Sequence, residues 1–161
     1  MIVVIAILAA LATVAFNGIQ VRAENTKTIN GVTSVVKTEK AYHAAKGTYP
    51  VSGFYPCIGP VGTVCGVTPA GNCWNIGYVG AIEAFNNELK TINTSIPEVS
   101  KQSMECHSSG SKATGAFYYS VDSSTYVVYY FLKGNVDCST PGGAKITRAF
   151  SVDTTVCAVW A

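Results

Sequence analysis

Six cysteines, Cys57, Cys65, Cys73, Cys106, Cys138 and Cys157, are the residues of this sequence best suited to covalent chemistry. They are separated by seven, seven, 32, 31 and 18 residues, and the only histidines are His43 and His107. A structural zinc site draws its thiolates from close pairs, typically about two to four residues apart, so the spacing speaks against metal. An even set with these gaps reads as disulfides, which places the folded part in an oxidising compartment. Each closed loop of this size contributes about 2 to 4 kcal/mol. Six cysteines allow many pairings, and spacing does not choose among them. No catalytic constellation accompanies them: the nine carboxylates are scattered, there is no phosphate-cradling glycine loop, and neither histidine has a nucleophile set beside it. His43 falls on a helix face next to Tyr42, and His107 opens a serine-rich stretch. The expectation is a chain that is not an enzyme and takes no cofactor and no metal. Asn93-Thr94-Ser95 fits a glycosylation triplet and leaves modification open.

The element that organises the chain lies at its start. Residues 1–16, MIVVIAILAALATVAF, are apolar at every position but Thr13. As a helix they would cover about 24 Å, slightly short of a bilayer core. A secretory signal peptide could be read with Ala10-Leu11-Ala12 as its cleavage site, but the basic start is missing. A core helix of a soluble domain would keep a polar stripe, whereas this segment is greasy all round and needs lipid or protein on every side. A retained membrane or assembly helix fits better. No proline interrupts residues 16–46, and Gly18 and Gly31 are the weak points, each costing about 1 kcal/mol against alanine. Ile29, Val32, Val36 and Tyr42 recur at helical spacing beside Val35 and Ala45, with Lys27, Lys37, Glu39, Lys40 and Lys46 assigned to the solvated surface. Lys46, Gly47 as a left-handed cap, and Pro50 form the stop signal. The spacing thus predicts one helix of about 46 residues, near 70 Å long, apolar to residue 16 and amphipathic over 17–47.

The run MIVVIAILAALATVAFNGIQVRAEN, the amphipathic half-helix after it and Gly47-Thr48-Tyr49-Pro50 together resemble the N-terminal region of mature type IV pilins and their pseudopilin relatives. The resemblance is specific over about the first 50 residues and weak afterwards. It implies an α+β "ladle" fold, a long N-terminal α-helix carrying a C-terminal globular head built on a four-stranded antiparallel sheet. It implies a polymerisation core of Met1, Ile2, Val3, Val4, Ile5, Ile7, Leu8, Leu11, Val14 and Phe16, seated in the cytoplasmic membrane before assembly and in the axis of an extracellular helical homopolymer afterwards. The partners implied are other copies of the chain, inner-membrane pilus assembly machinery and, on the precursor, prepilin peptidase. Adhesion to host or abiotic surfaces, twitching motility and DNA uptake are the family's uses of such fibres.

Two departures stand out. Family members carry several further residues ahead of the position of Met1, including a glutamate that pairs with a neighbour's N-terminus; a sequence trimmed or numbered from an internal methionine is the expectation here, and a subunit that assembles without that charge pair is the alternative. Phe16 stands where many relatives have a helix-kinking proline. Thr13, Asn17 and Gly18 cluster at that point, so local unwinding there on filament packing is expected. By the same resemblance, Cys138 pairs with Cys157, as many pilins tie their C-terminal region. Two of Cys57, Cys65 and Cys73 would then staple the loop between them and leave the third for Cys106.

Residues 48–161 read as the head. Residues 50–80 hold four prolines and seven glycines among three cysteines and are expected as loop, pinned by Trp74 and Tyr78. AIEAFNNELKTIN, residues 81–93, puts Ile82, Phe85, Leu89 and Ile92 on one face of a short helix. Residues 107–115, HSSGSKATG, are expected as a surface loop. Within 115–161 the period changes to two. Phe117, Tyr119 and Val121 alternate with Tyr118 and Ser120, Asp122-Ser123-Ser124-Thr125 supplies a turn, and YVVYYFLK is apolar on both faces, which places it centrally in the sheet. Lys145 to Val152 and Thr155 to Trp160 are expected to form a second hairpin around Asp153-Thr154.

The net charge of +2 is too small for a nucleic-acid footprint, although residues 22–46 are locally basic. The functional expectation is a structural pilus subunit. A pseudopilin of a secretion or competence machine is the near alternative, and a membrane-anchored monomeric binding module is the alternative of another class.

Overall fold

The computed structural model describes residues 2–52, 55–59, 64–65, 67–68, 79–80, 83–99, 104–105, 112–120, 122–146 and 154–160. Its first element, α1, is a single helix over Ile2–Lys46. The absence of proline lets the backbone ladder run unbroken, and Gly47 ends it at a φ of 77° with its N–H donating to the His43 carbonyl at 2.8 Å. His43 and Lys46 sit in the last turn, where a positive charge complements the helix dipole.

The head follows as β1 (Val64–Cys65), β2 (Val67–Thr68), β3 (Val79–Gly80), α2 (Glu83–Lys90), β4 (Met104–Glu105), β5 (Lys112–Ala113), β6 (Ala116–Tyr119), β7 (Val127–Lys133), β8 (Gly143–Lys145) and β9 (Thr154–Trp160). This is an α+β arrangement around a four-stranded antiparallel sheet in the order β6-β7-β9-β8. β-Branched and aromatic residues dominate β6, β7 and β9, as a pleated and buried surface favours. β7 is central, as its two apolar faces require. The last strand, β9, sits inside the sheet between β7 and β8.

The register sorts the side chains. Tyr118, Val128 and Val159 lie abreast, as do Ala116, Tyr130 and Cys157. With Leu132 they form one core with Val32, Val35 and Val36 of α1 and Phe85 and Leu89 of α2. On the opposite face Phe117, Phe131, Val156 and Ala158 are also buried within the chain, and the rings of Phe117 and Phe131 meet edge-on at 5.8 Å. The outer edge of β6 is not left bare. Residues 56–58 run along it, with Ile58 N–H donating to the Ala116 carbonyl at 2.9 Å and Tyr118 N–H to the Pro56 carbonyl at 3.0 Å.

Several expectations change. The stretch 50–80 is more than loop: β1 pairs with β3, and β2 pairs with β5, which also pairs with β4. These ladders are two residues long, too short to show a period against a glycine- and proline-rich background. Residues 112–113, assigned to a surface loop, form the middle strand of that small sheet. The helix read over 81–93 spans Glu83–Lys90, and residues 91–93 turn off it through Ile92 and Asn93 N–H groups donating to the Leu89 carbonyl. β8 begins at Gly143 rather than Lys145, because the Gly143 N–H closes a turn on the Thr140 carbonyl at 2.7 Å and then enters the ladder. Trp74, Tyr78, Ile82, His107, Val121 and the turn at Asp153 lie outside the described residues.

Candidate functional site

The apolar half of α1 stands free of the head. Val3, Val4, Ile5, Ile7, Leu8, Leu11, Phe16 and Ile19 are each 55% to 69% exposed. Exposed large apolar side chains are ordinary when scattered, but this many on consecutive turns form a surface that water does not tolerate alone. The free stretch from residue 3 to residue 20 is about 27 Å long, close to a bilayer core. By length and composition α1 can cross a membrane, with a window of mean hydropathy 2.1 that is 0% buried against the head. Met1 and the side chains of Ile2 and Val14 lie outside the described set, although Ile2 and Val14 belong to the helix.

The proposed weak point is regular in this chain. Thr13, Asn17 and Gly18 are all helical, and the Thr13 hydroxyl donates to the Ala10 carbonyl at 2.8 Å. Nothing approaches within 4 Å of a Cβ built at Gly18. Unwinding thus has no counterpart in the isolated chain.

The second half of α1 is held against the head at several described points. First, the Asn25 side chain reads the end of β7 as another strand would, its amide N–H donating to the Lys133 carbonyl and its oxygen accepting from the Lys133 N–H, both at 2.9 Å. Second, Val32, Val35 and Val36 enter the core. Third, residues 96–99 cross the helix at Gly31, where a Cβ would stand 2.9 Å from Val99 Cγ1 and 3.0 Å from the Glu98 carbonyl oxygen. Gly31 is therefore a close-approach site, and a half-exposed Lys27–Glu98 ion pair at 3.5 Å flanks it. Fourth, the Asn93 amide reaches the Thr38 hydroxyl at 3.4 Å. That contact turns the amide of the Asn93-Thr94-Ser95 triplet toward the helix rather than toward solvent.

Glu39 overturns its assignment to the solvated face: it is 0% exposed. Position 39 continues the stripe of Val32, Val35 and Val36 at helical spacing, so the periodicity carried the signal that its charge masked. At the other end, aromatic rings bridge α1 to the sheet and to α2. His43 stacks on Tyr49 at 4.4 Å, Tyr49 meets Tyr126 at 4.7 Å, Tyr126 stacks with Tyr118 at 5.6 Å, and Tyr118 meets Phe85 at 4.6 Å. His43 thus has a packing role.

Among the cysteines, Cys138 and Cys157 are bonded, with Cα atoms 5.7 Å apart, tying the segment before β8 to the interior strand β9. Cys57 is also disulfide-bonded. The expected pairings of Cys65, Cys73 and Cys106 fall outside the described side chains. No cluster of three or more metal-ligating side chains occurs among the described residues.

The arrangement sets an exposed apolar half-helix beside a head held by a hydrophobic core and a disulfide. Comparison with protein-family models, with curated proteins and with solved structures returns no match.

Proposed function

We propose that this chain is a structural subunit of an extracellular helical filament of the type IV pilus class, polymerised through the apolar half of α1. One observation carries the reading: eight large apolar side chains from Val3 to Ile19 are exposed on a helix whose following half is held under a covalently stapled head. At about 25 cal/mol per Å², burying several of these side chains against neighbouring helices contributes many kcal/mol per subunit, enough to hold a fibre without covalent links between subunits. The same surface suits lipid before assembly, so the cytoplasmic membrane is the store from which assembly machinery would draw subunits. Prepilin peptidase would act on the precursor. The fibre's use, in adhesion, twitching or DNA uptake, is part of the same proposal and rests on the resemblance of residues 1–50.

The alternatives, a pseudopilin and an anchored monomeric module, share the exposed helix but differ in what they build. Electron microscopy of material sheared from the cell surface, with helical reconstruction, separates them. The expected result is a fibre through which this chain traces with residues 2–16 at the axis. Recovery of the chain solely in the membrane fraction, with no fibre, overturns the reading.

A further inference from the structure

The Glu39 carboxyl is buried and has no partner among the described residues. Neither oxygen has a hydrogen-bond partner, and among the described residues no cation is paired with it. It lies where α1, α2 and the sheet meet. The groups that act on it, or feel it, come from each surrounding element: Glu88 from α2, Tyr42 from its own helix, Tyr118 from β6, and Tyr126 from the lead into β7. None of them is a cation. Tyr49 stacks beside Tyr126, the Tyr118 hydroxyl is already committed to the Pro50 carbonyl at 2.8 Å, and the buried Tyr126 hydroxyl has no partner. An ionised carboxylate in such a place is costly, because the desolvation is not repaid by any hydrogen bond.

We propose that Glu39 is a proton-operated latch at this junction: protonated, it lets α2 and residues 91–99 close onto the long helix, and ionised, it loosens them. Burial first, and the Glu88 carboxylate second, push the Glu39 carboxyl up to about 8 from an ordinary 4.5. A carboxyl whose folded value is raised gives its full stabilisation below the ordinary value and loses it as the pH rises through the folded one. The latch is therefore closed in mildly acidic surroundings and progressively looser toward alkaline pH. Glu88 belongs to α2, so that helix also carries the charge that tunes the latch. The inference concerns the single subunit and stands apart from the filament reading.

Hydrogen exchange on the full chain in detergent micelles, corrected for the intrinsic pH dependence of exchange, tests it at the amides of residues 87–93. In the unsubstituted chain, protection is expected to fall by up to about tenfold per pH unit between about pH 5 and about pH 8. Glu39→Gln should hold protection level across the same range. Glu88→Gln should leave the onset in place but end the loosening at lower pH and with a smaller total loss, since removing the neighbouring negative charge lowers the folded carboxyl value. This second variant keeps the test open should Glu39→Gln not fold. Protection that does not depend on pH, a dependence that Glu39→Gln retains, or a total loss toward pH 8 that Glu88→Gln leaves undiminished overturns the latch.

Discussion

The two halves of α1 share a backbone ladder and differ in everything around it. Residues 3–13 and 15–20 are exposed, their largest side chains included, whereas residues 28–39 bury Thr28, Gly31, Val32, Val35, Val36, Thr38 and Glu39. Helices take most of their stability from packing of one face, so the second half is anchored by its own chain. The first half has no such packing among the described residues. The lesson is that the head does more than decorate the helix. It buries one face of the second half and leaves the apolar first half exposed.

The largest expected effect tests the free half. Leu8→Lys should abolish fibres, counted by electron microscopy of sheared material, while the head retains its thermal transition in detergent. Fibres at normal abundance would break the division of labour. A smaller effect compares the two glycines of the helix. Gly31→Ala pushes a methyl into Val99 and the Glu98 carbonyl, and should lower stability to denaturant by about 1 to 2 kcal/mol once the overpacking is offset by better helix propensity. Gly18→Ala meets nothing within 4 Å and should leave the head's stability unchanged while favouring the helix by up to about 1 kcal/mol. Equal effects at the two positions would erase the comparison.

Asn25→Ala removes both bonds to the end of β7 and should cost about 1 to 2 kcal/mol in denaturant unfolding, concentrated where the helix emerges from the head. Asn25→Asp keeps the acceptor for the Lys133 N–H but sets a carboxylate oxygen against the Lys133 carbonyl, so it should not restore the stability lost in Asn25→Ala. The smallest effect is expected at Asp122. Its Oδ1 accepts from Ser124 N–H at 2.8 Å and Thr125 N–H at 2.9 Å, and the Ser124 hydroxyl donates to it as well. These bonds hold its carboxyl below the usual carboxylate range. Its contribution is present above the ordinary carboxylate value and disappears as the pH falls through the lowered one. Asp122→Ala should therefore reduce stability at neutral pH and leave it unaltered in strong acid, read from thermal melts across the acid limb. The sign is opposite to that of Glu39, which separates an exposed turn cap from a buried carboxyl in the same head.

Much of this layout was legible in local pattern. The unbroken helix, its stop at Gly47 and the hairpin through Asp122 follow from signals contained within a few turns or a few residues. Phe85 and Leu89 were also readable, because their helical spacing survives in a short amphipathic segment. Glu39 was misread for a physical reason: a charged side chain at a core position is rare enough that charge outweighs periodicity as a guide. The small ladders of β1 to β5 were missed because two-residue strands carry no period, and their pairing depends on residues tens of positions away.

By itself the sequence determined the local conformations: a helix without breakers, a glycine cap, strands rich in β-branched and aromatic residues, and an apolar run that no water-facing helix carries. Those are properties of neighbouring residues and of transfer from water. Only the tertiary structure decided that β9 threads between β7 and β8, that Gly31 is where residues 96–99 cross the helix, that Asn25 closes the end of β7, and that Glu39 is shut in among tyrosines. Each of these depends on which distant segments meet. The closeness of a backbone or the loss of water around a carboxylate exists only once they have met.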